Sequence, residues 1–236
     1  MKIRIHPWKA FLCLLLAFSG LLIAHLVVLV LMYGLEHSMA YRLANLFHFN
    51  REQNVPTLYS SNLYLISAFL LTTISIVQRD QKEPFYSWVF LAVIFVFLSF
   101  DEVVKIHEKF TGFMDLFLET SGYFNYAWVI PYGILVMILG LAYLKFFFRL
   151  PTRVRNLFFL SATVFLSGAI GMEMIAANYY DKNEVYDLTF DLLATVEESL
   201  EILGLSLFVY SLLSFLSLKG ETIEWSFLGS SSNLES

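Results

Sequence analysis

The chain has 236 residues, of which 58% are apolar, 17% aromatic and only 15% charged, with a formal charge of -5. An average soluble domain is about 25% charged, and a mean hydropathy of +0.67 is more hydrocarbon than a water-soluble globule of this length can hide. A soluble enzyme and a disordered chain are both excluded, which leaves an all-α, polytopic membrane protein.

A helix needs about 20 apolar residues to cross the hydrocarbon core. Six stretches qualify: Trp8–Tyr33, Leu58–Val77, Phe85–Val104, Tyr126–Phe148, Leu157–Tyr179 and Leu188–Leu218. The first follows Lys2 and Arg4, but its apolar run exceeds the roughly 7–15 residues of a signal peptide, so it reads as an uncleaved anchor. Between the first two spans, Ala40, Leu43, Leu46 and Phe47 have roughly helical spacing and predict a short interfacial helix. Glu52 precedes the helix-start proline Pro56 and reads as part of a solvated turn. Trp8, Tyr33, Tyr86, Trp128 and Tyr180 crowd the span ends, where aromatic rings favour the headgroup level. The expected domain is the six-helix bundle of residues 1–218. Residues 219–236, with the serine-rich Gly229–Ser236, are expected as a flexible cytoplasmic tail.

Basic residues set the expected orientation. With the N-terminus in the cytoplasm, ten of the fifteen lysines and arginines fall inside, four of them in the Lys145–Arg155 connector. The positive-inside rule then places both termini in the cytoplasm, in a cell (inner) membrane. No basic patch with interleaved aromatics occurs, so nucleic acid is not an expected partner. The lone cysteine, Cys13, excludes an internal disulfide and any cysteine-built metal site.

Three spans carry acids where lipid-facing residues should be apolar: Asp101, Glu102 and Glu108 beside His107, then Glu173, then Glu197, Glu198 and Glu201. At 1.5 Å of rise per residue, Asp101, Glu173 and Glu201 each lie ~23–25 Å from the cytoplasmic edge. Helices that do not all run the same way thus bring acids to one level of the outer half. In helical phase, Asp101, Lys105 and Glu108 form one stripe. Glu102 and His107 point off it, unless the helix bends at its polar end. Glu197, Glu198 and Glu201 can all face one cavity. Glu173 shares a face with Ala169, Ala176 and Ala177, and Ser167-x-x-x-Gly171 is a small-xxx-small pair that allows close helix approach.

Seven carboxyls at this depth repel. Either several hold their protons or a cation sits among them. An acid inside a span costs about 2.5–3.5 kcal/mol to insert, which favours a functional role. Oxygen donors with one or two imidazoles suit manganese, iron or zinc. The competing reading for the third and sixth spans is a helix end that has reached water. His25 reads as a helix histidine hydrogen-bonded to a neighbour rather than a haem ligand.

Phe100-Asp101-Glu102-x-x-x-x-His107-Glu108, then Gly171-x-Glu173, then Glu197-Glu198-x-x-Glu201-x-x-Gly204 resembles a recurring pattern of uncharacterised bacterial multipass membrane proteins. That resemblance implies no activity. The pattern is also loosely similar to ferritin-like di-iron helices, which use glutamates and Glu-x-x-His. Here Glu198-x-x-Glu201 occurs without Glu-x-x-His. Intramembrane CAAX-type proteases carry Glu-Glu-x-x-x-Arg, and the arginine position here holds Ile202.

The leading expectation is a divalent-metal site, with Asp101, Glu108, Glu173, Glu198 and Glu201 as ligands, His107 as ligand or orienter, and Glu102 and Glu197 behind them. Such a site suits a metal-dependent membrane enzyme acting on a lipid-soluble or periplasmic small molecule. Two alternatives stand beside it: a proton or cation relay, and an accessory scaffold of a membrane complex whose acids are interhelical hydrogen bonds.

Overall fold

The structure is a computed structural model that describes residues 2–4, 6–51, 53–114, 116–220 and 224–226, with the side chains of 6–51, 53–107, 109–114 and 116–220. Six helical stretches are long and apolar enough to cross a membrane. They are Pro7–Leu29 (α1), which continues as a π-helical turn to Gly34; Val55–Asp80 (α3); Tyr86–Val104 (α4); Val129–Arg149 (α6); Thr152–Leu166 (α7), which passes through a π-helical turn, Ser167–Met172, into Glu173–Asn183 (α8); and Leu188–Leu218 (α9). Two shorter helices are Ala40–Phe47 (α2), at the place expected of an interfacial helix, and Ile106–Met114 (α5). Glu52 lies outside the described residues, as do 221–223 and 227–236 of the expected tail.

Local chemistry explains the boundaries. Asn54 caps α3 by accepting from the Thr57 amide at 3.1 Å, with Pro56 in the first turn, where its missing N–H costs nothing. Asp187 caps α9 by accepting from the Phe190 amide at 3.0 Å. The α4 helix stops because Lys105 adopts a left-handed conformation, φ 58° and ψ 51°. This overturns the continuous Asp101–Lys105–Glu108 stripe: the chain bends at Lys105 and α5 starts a new axis.

The bundle is organised around α9, 67% of whose most apolar stretch is buried, with α3 next at 56%. Without a hydrophobic drive between helices in lipid, close packing of small side chains and polar contacts hold such a bundle. Ser61 of α3 meets Ser99 of α4, hydroxyl to hydroxyl, at 2.8 Å. The glycines that bring α7 and its π turn onto α9 are Gly204 and Gly168. A methyl at Gly204 would stand 2.7 Å from the Phe165 backbone, and one at Gly168 would stand 2.8 Å from the Glu197 carbonyl. The expected Ser167–Gly171 pair is not that contact, because Gly171 has only its own helix nearby and Ser167 is exposed. By contrast α6 packs sparsely, with 6% of its apolar stretch buried. Six crossings bring both chain ends to one face. There Lys2–Arg4 (β1) pairs antiparallel with Glu224–Ser226 (β2). The opposite face is called distal below.

Candidate functional site

A partly open cavity of about 950 Å³ runs from the middle of the bundle to its distal end. Asp101 and Glu102 reach it from the end of α4, His107 from α5, Glu173 from the start of α8, and Glu197, Glu198 and Glu201 from α9. These are all the expected site residues except Glu108, whose side chain lies outside the described residues. Glu102 stands in electrostatic reach of both Glu198 and Glu201, and Glu173 of all three α9 glutamates. Among the described residues lining the cavity there are six carboxyls and one imidazole, and no lysine or arginine.

Two backbone irregularities create this convergence. The bend at Lys105 folds α5 back so that Asp101, itself buried, caps it. Asp101 Oδ1 accepts from the His107 amide, and Oδ2 lies 3.0 Å from His107 Nδ1. Asp101 thereby fixes the imidazole. The π turn Ser167–Met172 widens the helix one step before Glu173, and Ala169 and Ile170 of that turn line the cavity. Single π turns inside helices are frequent at functional sites.

Aromatic donors complete the wall. Trp128 donates through Nε1 to Glu173 Oε1 at 3.0 Å, and its ring centre lies 4.9 Å from that of His107. Tyr132 donates to Asp101 Oδ1 at 3.4 Å. Burial, followed by the neighbouring Tyr186 and Glu173, holds the Tyr126 phenol above its usual range, so it remains a hydrogen-bond donor. From sequence alone Trp128 and Tyr126 read as headgroup-level rings, and Tyr132 has no assigned role. Their polar tips, a few residues from an acid-bearing level, were the available signal.

A second polar network, also missed, lies against the cavity wall. Buried Asp191 of α9 accepts from Tyr33 at 2.7 Å and Asn50 at 3.1 Å, with His48 Nε2 at 3.1 Å. His25 is buried beside it. The Phe49 amide donates to Nδ1 of His25 at 3.2 Å, which requires a lone pair there, so Nε2–H donates to Thr195 Oγ1 at 2.7 Å. This agrees with a hydrogen-bonded helix histidine. The network pins residues 48–50 against α9, and Phe49 and Asn50 form part of the cavity wall. Asp191 lies two helical turns before Glu198 on one stripe of α9, a spacing that could have revealed it.

Among the described residues, no group of three or more His, Cys, Asp or Glu side chains is gathered closely enough to hold a metal ion by itself. The acids surround a space rather than close on a point.

A family model described as a domain of unknown function (DUF8692) matches residues 14–215. The chain belongs to that family. The match spans every candidate site residue named above. No curated protein and no solved structure matches the chain.

Proposed function

We propose that the chain is a multi-pass protein of the cell (inner) membrane, with both termini cytoplasmic, whose distal cavity binds a divalent cation together with an oxygen-bearing small molecule. The observation that carries this reading is a cavity lined by six carboxyls without a lysine or arginine among its described residues. Without a cation, such a set must either hold protons or repel. A cation relieves the repulsion.

The donor set suits a hard cation. Manganese, like magnesium, favours carboxylate oxygens, and such ions are commonly held by one or two carboxylates plus ligand oxygens rather than by an all-protein cage. The spread of the acids around the cavity fits that mode. Iron and zinc fit less well, since His107 is the one imidazole lining the cavity among the described residues. Glu102, Glu173, Glu198 and Glu201 would hold the ion, with Glu197 supporting Glu173. Asp101 positions His107, as carboxylates commonly orient a ligating imidazole. A bound divalent cation supplies charge neutralisation and polarisation of a ligand oxygen. Trp128, Tyr132 and Tyr126 offer donors to the same ligand. A transmembrane relay is disfavoured because the proximal halves of the six spans carry no acid to continue it except Asp80, the last residue of α3.

Metal analysis tests the reading. Purified protein in mild detergent is equilibrated with manganese and desalted, beside a Glu173→Gln, Glu201→Gln variant. Stoichiometric manganese in the parent and its loss in the variant are expected. A parent that retains no metal, but carries acid-dependent ion flux in liposomes, would establish the relay instead. Neither metal nor flux would favour the scaffold.

A further inference from the structure

We propose that the apolar arm of the cavity, between α4 and α6, receives the hydrocarbon chain of a phosphate-headed bilayer lipid whose head lies at the acid cluster. The head group's placement rests on the cation reading above. The path of the chain stands on separate geometry.

Helix α6 meets its neighbours at its two ends. At the proximal end, Tyr143 donates to the Ser87 carbonyl at 2.9 Å, and Phe146 packs edge-on against Trp88 with ring centres 4.8 Å apart. At the distal end, Trp128 and Tyr132 hold Glu173 and Asp101. Between Tyr132 and Tyr143 run ~16 Å of helix. Over that length Leu135, Val136 and Leu139 face the cavity from α6, and Phe90, Val93 and Phe97 face it from α4. The arm is open along its side: Val93 is 61% exposed, Leu135 59% and Phe90 54%.

The depth and shape of this arm select its occupant. It lies inside the spanning segments, where the surroundings are acyl chains, and an apolar space of this kind does not hold water. A partner helix, about 10 Å across with its side chains, cannot slide between two helices joined at both ends. A single hydrocarbon chain can. The arm leads directly into the carboxyl-lined end of the same cavity, so a lipid seated there presents its head to the acids. A bare phosphate would be repelled by them. A phosphate bridged by the divalent cation would be attracted, because its oxygens complete the coordination that the separated carboxyls leave open.

Photocrosslinking of the full chain in vesicles tests this. The probe is phosphatidic acid with a diazirine midway along one acyl chain, supplied with and without manganese. The expected result is labelling concentrated on residues 90–97 and 135–139, dependent on manganese. In Val93→Trp, which fills the arm, that labelling should fall about tenfold, while Val96→Trp, less than one helical turn further along α4 but off the cavity, should retain it. Both variants are first checked for an unchanged melting temperature, and Leu139→Phe replaces Val93→Trp if the latter misfolds. Labelling spread evenly over the lipid-facing helices and unaffected by Val93→Trp overturns the inference, and leaves the cation reading intact if the parent still retains manganese. Labelling of the arm that ignores manganese keeps the chain path but overturns the bridged head, while the cation reading still stands or falls on manganese retention by the parent.

Discussion

Asp191 shows how much one buried carboxylate can organise. It accepts from Tyr33 and Asn50 and faces His48 Nε2, and so ties α1 and residues 48–50 to α9. Asp191→Ala would leave those polar groups without their acceptor, at a cost of about 2–4 kcal/mol. Asp191→Asn keeps one acceptor oxygen and should cost less. Thermal unfolding in detergent would rank the two, and equal melting temperatures would show that the network is not structural. Asp187 acts at the surface in a different way. The Phe190 amide, and then the Tyr179 hydroxyl, hold its carboxyl below the ordinary value of 3.8. A group whose folded pKa is depressed contributes stability above its unfolded pKa and loses it as the pH falls through the folded one. The parent should therefore lose stability as acid is added below about pH 4. Asp187→Asn, which still caps, should lose less over that window in melts recorded from pH 5 downward.

At the level of elements, the glycines separate packing from mere helix propensity. Gly204→Ala places a methyl 2.7 Å from the Phe165 backbone, which must separate α7 from α9 and should cost about 1–3 kcal/mol. Gly140→Ala, on α6 with nothing within 4 Å, should be neutral or stabilise by about 0.5–1 kcal/mol, since glycine weakens a helix interior. Melting temperatures that moved alike in both variants would contradict the central role of the α7–α9 contact. The interrupted helices belong to this scale too. A left-handed lysine costs roughly 1–2 kcal/mol. Here it lets Asp101 cap α5 and orient His107 in one gesture.

Across the whole molecule, a stable half and an open half divide the work. The proximal core packs Trp88, Ile74, Leu71 and Leu212 with almost no exposure. The distal half gathers six carboxyls around a cavity. Sites of this kind trade stability for function. In cation-free detergent, Glu198→Gln, Glu201→Gln should melt above the parent. Manganese at about a hundred times its dissociation constant should then stabilise the parent by about 2.7 kcal/mol and the variant far less. If the variant melts below the parent in the absence of metal, the carboxyls are hydrogen-bonded structural groups and the cation site falls.

The six spans were legible in the sequence to within a few residues, because hydrocarbon thickness imposes a length that any spanning helix must meet with apolar side chains. Rise per residue, which converts chain position into depth, also pointed Asp101, Glu173 and Glu201 at one another, and all three line one cavity. Periodicity assumes an unbroken helix, however. It could not show the bend at Lys105 or the π turn before Glu173, and so it aimed the Asp101 stripe wrongly. It also could not tell that Trp128 and Tyr132 turn inward, or that Asp191, His48 and His25 meet from three separate segments. Depth is a one-dimensional property that composition along the chain determines. Which side chains face one another at that depth depends on how the helices rotate and pack, and only the tertiary structure decides that.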